Sequence, residues 1–217
     1  MKLFSKVLVL TLVVVFQLSL VAMAQTPNLS LTVPKVSAAP TIDGVINDIA
    51  WVEASQVGAK VVVDLAHTGD KLTQFPRVAY VAYDDTALYV AFINYSPNPA
   101  ALVTGNAVSS NDEVELFLLP PGKIYNNNDF QIIVDNAGEA KNGHLVNYVV
   151  NKTAIQWIVE LALPWANYGV EPPQPGDEWS INLNGHQVAD GDQWLCWNPT
   201  YGGFHNPSRF ATLIFGE

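Results

Sequence analysis

Sulfur is nearly missing from this sequence. Of 217 residues one is cysteine, Cys196, and two are methionine, Met1 and Met23. A lone thiol excludes an internal disulfide and any zinc site built on several cysteines, so stability must come from a buried core. Basic residues are scarce as well: 10 Lys and Arg stand against 20 Asp and Glu. That imbalance repels phosphate backbones and anionic lipid surfaces, so nucleic acid and membrane surfaces are poor partners. Beyond residue 25 there is no sustained helical periodicity. His67, His144, His186 and His205 are too scattered to form a compact metal motif. No nucleophile, base and oxyanion loop stand together, and the chain reads as non-catalytic.

The one long apolar run lies at the N-terminus. Lys2 and Lys6 precede an apolar stretch over residues 7–21, and Ala22-Met23-Ala24 places small residues at both recognition positions of a cleavage site. This order predicts a secretory signal peptide over residues 1–24 and export to a periplasmic or extracellular compartment, without membrane insertion of the mature chain. Both methionines leave with it, so Met cannot be an axial haem ligand, and no haem is expected.

Residues 25–32 read as a short leader and residues 33–217 as one domain, long enough for a single core. Short runs of Val, Ile and aromatics, bounded by Gly, Pro, Asn or Asp, predict strands near residues 60–65, 77–83, 87–95, 113–118, 130–134, 144–150, 155–163, 179–187 and 211–215. Asp84-Asp85 supplies a tight hairpin turn. The strands around it are apolar on both faces and are expected at the centre of the sheet. Residues 164–169, with Pro first and Gly last, suit one helical turn. Residues 96–110 and 120–128 are loops. Together these features predict an all-β antiparallel sandwich with at most short helical turns.

Four segments occur in order: PTIDGVINDIAW (40–51), VAYVAYDDTALYV (78–90), NDEVELF (111–117) and IVELALPW (158–165), closed by FHNPSRFATLIF (204–215). In this order they resemble the family 9 carbohydrate-binding modules. The resemblance implies a β-sandwich, often with structural calcium, that binds a polysaccharide or oligosaccharide between two aromatic rings while polar side chains read its hydroxyls. Under it, one ring position falls at Ser109 and is lost, and the other falls at Phe204. The sugar-reading carboxylate corresponds to Glu115, Gln131 is retained, and an arginine position is taken by Ile132.

Trp194, Trp197, Tyr201 and Phe204 crowd eleven residues. Phe204, Trp197 and Tyr201 are stacking candidates, and Glu115 and Gln131 are hydroxyl-reading candidates; Trp194 could join Trp197 and Tyr201 in rebuilding the lost platform, and Trp194 and Trp197 equally suit the end of a core. Trp51, Trp157, Trp165 and Trp179 lie in apolar stretches and read as core. Acidic and amide clusters at residues 84–85, 126–129, 135–136 and 190–192 offer oxygen ligands for a calcium ion, or solvated turns. Cys196, between Leu195 and Trp197, reads as a buried, inert thiol. Glu113 and Glu115 are read as facing opposite sides of their strand, which would keep them from forming a hydrolytic pair. The alternative to sugar binding is a structural or adhesive subunit that contacts other cell-surface or secreted proteins and carries a degenerate sugar site.

Overall fold

Asp84 closes the hairpin at the centre of the molecule. Its Oδ1 accepts hydrogen bonds from the Thr86 amide (2.7 Å), the Thr86 hydroxyl (2.6 Å) and the Ala87 amide (3.0 Å), and its Oδ2 from the Tyr89 hydroxyl (2.8 Å). This turns β3 (Leu72–Tyr83) into β4 (Ala87–Tyr95). The computed structural model describes residues 27–126, 128–191 and 193–217. The expected signal peptide, residues 1–24, lies outside the described residues.

Ten further strands surround this hairpin: β1 (Ser30–Val33), β2 (Lys60–Ala66), β5 (Glu113–Leu119), β6 (Gln131–Asp135), β7 (Ala140–Lys141), β8 (Asn147–Lys152), β9 (Gln156–Pro164), β10 (Glu178–Gln187), β11 (Gln193–Cys196) and β12 (Ala211–Phe215). Their order, β7-β6-β5-β10-β11-β2-β3-β4-β9-β8, is antiparallel throughout, and β12 pairs β10 and, in parallel, β1. The fold is an antiparallel β-sandwich formed by a curled sheet. Its core joins Leu116, Leu118 and Leu183 of one half to Val81, Leu88, Val90 and Leu161 of the other. Trp51, Trp157, Trp165 and Trp179 are all buried there; Trp165, Trp179 and Phe215 meet edge to face at 5.2–6.0 Å.

Several elements differ from the sequence expectation, among them the two-residue strand β7, where no strand was expected. Ser30–Val33 begins inside the stretch read as leader and is held by β12. The short strand β11 comes from the segment read as an aromatic cluster. A two-turn helix, α1 (Ile49–Gln56), stands where none was expected; it buries only Ala50, Trp51 and Ala54, while Ile49 and Val52 face outward, so the apolar pattern is not helical. What seats α1 is one carboxylate. Glu160, wholly buried on β9, accepts from the Trp51 indole (2.8 Å) and from the amides of Gly44 (2.6 Å) and Asp43 (3.1 Å). Gly44 has φ +83°, and a Cβ there would come within 2.6 Å of Asn151 Cβ, so the turn tolerates only glycine. The expected turn at residues 164–169 is present as α2 (Trp165–Tyr168), ended by Gly169 in the left-handed region.

Candidate functional site

Alternation along β5, β6, β10 and β11 sorts residues between the two faces of one half of the sheet. Val114, Leu116, Leu118, Ile132, Val134, Ile181, Leu183 and Leu195 enter the core. The opposite face carries Glu113, Glu115 and Phe117 of β5, Gln131 of β6, Asn182, Asn184 and His186 of β10, and Trp194 and Cys196 of β11, as the strand register requires. Most of these are polar, yet all but Trp194 are buried.

Beneath Gly185 the core side is occupied by Arg77. Its guanidinium donates to the carbonyls of Glu113 and His186, both at 2.7 Å, where β5 and β10 diverge. A Cβ at Gly185 would collide with that guanidinium.

A cleft of about 350 Å³ opens on the polar face, lined by His67, Ser109, Glu115, Gln131, Trp194, Gly203, Phe204 and His205. Three sequence candidates, Phe204, Glu115 and Gln131, thus come together beside Ser109. Trp197 and Tyr201 do not join them. Trp197 packs against the main core, and Tyr201, with φ +55°, seats its ring against Gly69 under the Arg209 guanidinium at 5.1 Å.

Sequence reasoning did not assign His67 or His205 to the site, and it offered Trp194 only as one of three aromatics that could rebuild the platform. Trp194 lies parallel on His186, centroids 3.8 Å apart and planes 10° apart, and His186 Nδ1 lies 3.3 Å from the Ser109 carbonyl. A ring wall therefore stands next to the position where Ser109 has none. The readable signal was the polar alternation Asn182, Asn184, His186, which marks one buried face of β10 as non-core.

Glu113 and Glu115 correct an expectation: residues two apart on a strand share a face, and these two lie side by side on the cleft side of β5. Burial, reinforced by the neighbouring Glu115 carboxylate, holds the Glu113 carboxyl well above the usual range. Its Oε1 accepts the His186 amide (2.5 Å), and its Oε2 meets no donor, as suits the oxygen that keeps the proton. Burial pushes Glu115 up to about 7, against the opposing pull of Gln131 and Lys141. Lys141 Nζ donates to Gln131 Oε1 (2.7 Å) and Gln131 Nε2 donates to Glu115 (2.7 Å), so the cleft carboxylate ends a polarised chain. Only Glu115 of the pair reaches the cleft.

Phe204 is not a free loop aromatic: it is 6% exposed and packs with Phe117, Cys196 and Phe210 in a second apolar cluster. Cys196 is buried, and burial pushes its thiol up to about 12, which makes it inert at neutral pH. A wider cleft of about 430 Å³ lies near Lys123, Asp129, Asn142 and Tyr168. Its rings, Phe130 and Tyr168, are turned edge to face on each other, and the Tyr168 hydroxyl is spent on the Leu118 carbonyl.

Among the described residues no three His, Cys, Asp or Glu gather as a metal site. The carboxylates of Asp84, Asp129 and Asp135 already accept internal donors, as turns do. Asp190 differs, since burial and the nearby Asp112 carboxylate raise its pKa against the pull of Ser96.

Two solved structures share this fold. One is a family 9 carbohydrate-binding module from Caldicellulosiruptor kristjanssonii in complex with cellotriose, 18% identical, with a TM-score of 0.69 over 86% of this chain and 93% of that one. The other is a family 9 module from the same organism in complex with glucose, 19% identical, with a TM-score of 0.69 over 87% and 96%. No curated protein sequence matches the chain. Residues 42–216, nearly the whole described fold, match the carbohydrate family 9 binding domain-like family, and the chain belongs to it.

Proposed function

We propose that the protein is an exported, non-catalytic carbohydrate-binding module that seats a sugar in the 350 Å³ cleft. The observation that carries this reading is the convergence of Phe204, Glu115 and Gln131 on one cleft, with Trp194 backed by His186 as its second ring. Sugar C–H faces pack on aromatic faces, and hydroxyls need fixed acceptors and donors, which the Lys141–Gln131–Glu115 chain supplies. Hydrolysis needs two carboxyls flanking the glycosidic bond. Glu113 is shut behind the cleft and cannot serve.

A glycan array, followed by calorimetry with cellotriose and glucose, tests the reading. Trp194→Ala is expected to weaken binding at least about tenfold, the loss of a buried aromatic contact, while the fold persists. A native protein silent on the array, or a Trp194→Ala variant that binds undiminished, rejects it. Contacts with other secreted or surface proteins form a second reading, favoured by Ile49 and Val52, about half exposed on the outer side of α1.

We further propose a structural calcium at the loop of Asp190, whose carboxyl is pushed up by burial and by the nearby Asp112 carboxylate, a repulsion that a divalent cation would relieve. Calcium that binds only the native state at one hundred times its dissociation constant adds about 2.7 kcal/mol. A higher Tm in millimolar calcium than in EDTA is expected; superimposable melting curves would remove the site.

A further inference from the structure

The charge of the cleft is one-sided. Among the described residues that line it there is one carboxyl group, Glu115, and no lysine or arginine. The two cations that act on Glu115, Lys141 and Arg77, both stand outside the lining. Lys141 meets the Gln131 carboxamide oxygen at 2.7 Å, and the other end of that amide holds Glu115. Arg77 lies on the core side of the sheet, its guanidinium donating to the carbonyls of Glu113 and His186. His205 adds no positive charge at neutral pH: its Nδ1 meets the Tyr125 hydroxyl, and burial, with Lys141 nearby, holds its pKa below the ordinary imidazole value.

Behind Glu115 stands a second carboxyl. Glu113 shares its face of β5, and both side chains are buried. Two buried carboxyl groups side by side resist ionising together. A neutral hydroxyl set against Glu115 leaves that repulsion in place, whereas a cation there removes it through a charge-assisted hydrogen bond about twice as strong as a neutral one. The walls favour a cation as well. Trp194, with one face on His186 at 3.8 Å, and Phe204, edge-on to Trp194 at 5.4 Å, bring aromatic rings to the same cleft, and aromatic faces attract ammonium groups. A metal ion needs several ligands, and no three His, Cys, Asp or Glu gather for one among the described residues. One carboxylate beside an aromatic wall suits an organic ammonium instead.

We propose that the cleft selects a cationic sugar, a hexosamine unit with a free amine, whose ammonium pairs with Glu115 while its C–H face lies against Trp194. Uronates and other acidic sugars are turned away by the same carboxyl. This rests on the carbohydrate reading and adds to it the charge class of the ligand.

Calorimetry on the native protein at neutral pH tests it with glucose, glucuronate and the three amino-deoxyglucoses that carry the amine at the second, third or sixth carbon. At least one amine is expected to bind about tenfold or more tighter than glucose, and its N-acetylated form, which has no charge, should lose that advantage. Glucuronate should bind more weakly than glucose, since like charges then meet in the cleft. Glu115→Gln keeps the size of the side chain and removes its charge, so the folded variant should bind amine and glucose alike. Glucose bound as tightly as every amine, or glucuronate bound as tightly as glucose, overturns the proposal and leaves the carbohydrate reading standing. An amine preference that survives in folded Glu115→Gln overturns it too, because the ammonium is then read elsewhere. If that variant does not fold, the native ligand series decides alone. A native protein that binds none of these sugars, and nothing on the glycan array, rejects the carbohydrate reading itself and this inference with it.

Discussion

Phe204→Ala is expected to cost about 3 kcal/mol of stability, the low end of the range for truncating a buried phenylalanine. Phe204 meets Trp194, His67 and Phe117 edge to face at 5.4, 6.0 and 6.3 Å and touches neither the Trp165–Trp179–Phe215 group nor the rest of the main core. The void left by truncation opens on the cleft, so water entering it offsets part of the loss. The same variant removes a ring from the cleft and should lower sugar affinity as well. Urea unfolding and calorimetry measure both. If stability is unchanged, Phe204 is a free platform after all. If stability drops and affinity stays, the ring is a plug and Trp194 alone stacks on the sugar.

The framework was legible because its signals are local. Runs such as Leu88-Tyr-Val-Ala-Phe-Ile are apolar on both faces, and Asp84 brings its own turn chemistry, so strand and hairpin follow from a few residues. The calcium-or-turn alternatives at Asp84 and Asp135 could be separated only by seeing which amides their carboxylates accept. α1 stayed hidden because its seat, Glu160, lies 109 residues from Trp51 in sequence.

The site divides in the same way. Phe204, Glu115 and Gln131 could be placed on the cleft from ordered motifs. Trp194 could be offered but not told apart from Trp197 and Tyr201, because its role depends on His186 coming beneath it across the β10–β11 pair. Tyr201 and Trp197 follow it in the same aromatic run, just past β11, but face elsewhere. Composition identifies the aromatics; only register says which of them meet.

Stability is expected to fall as pH rises from 5 to 8. Glu115 has a folded-state pKa of about 7 against an ordinary 4.5, and Glu113 is held well above that value. A pKa raised by folding means that the native state keeps protons which the unfolded chain releases. The stability linked to those protons is fully present below about pH 4.5 and is lost as pH climbs through the folded value. Glu160 and Asp190 are shifted in the same direction, also by burial first. His205 acts the other way: burial depresses its pKa, so the fold gains slightly as pH passes the imidazole's ordinary value. Asp84, which burial pushes up but its turn donors together pull below the ordinary value, supports the fold at neutral pH and loses that support only in acid. The carboxyl pair dominates, since both members are fully buried, and Glu115 alone accounts for a loss on the order of 3 kcal/mol between pH 5 and pH 8. Glu115→Gln keeps the shape, removes the titration and relieves Glu113 of its charged neighbour, so it should flatten the decline. Melting curves across this range decide the matter: a Tm that holds level or rises toward pH 8 in the native protein contradicts a protonated pair, and an unaltered slope in Glu115→Gln places the titrating group elsewhere.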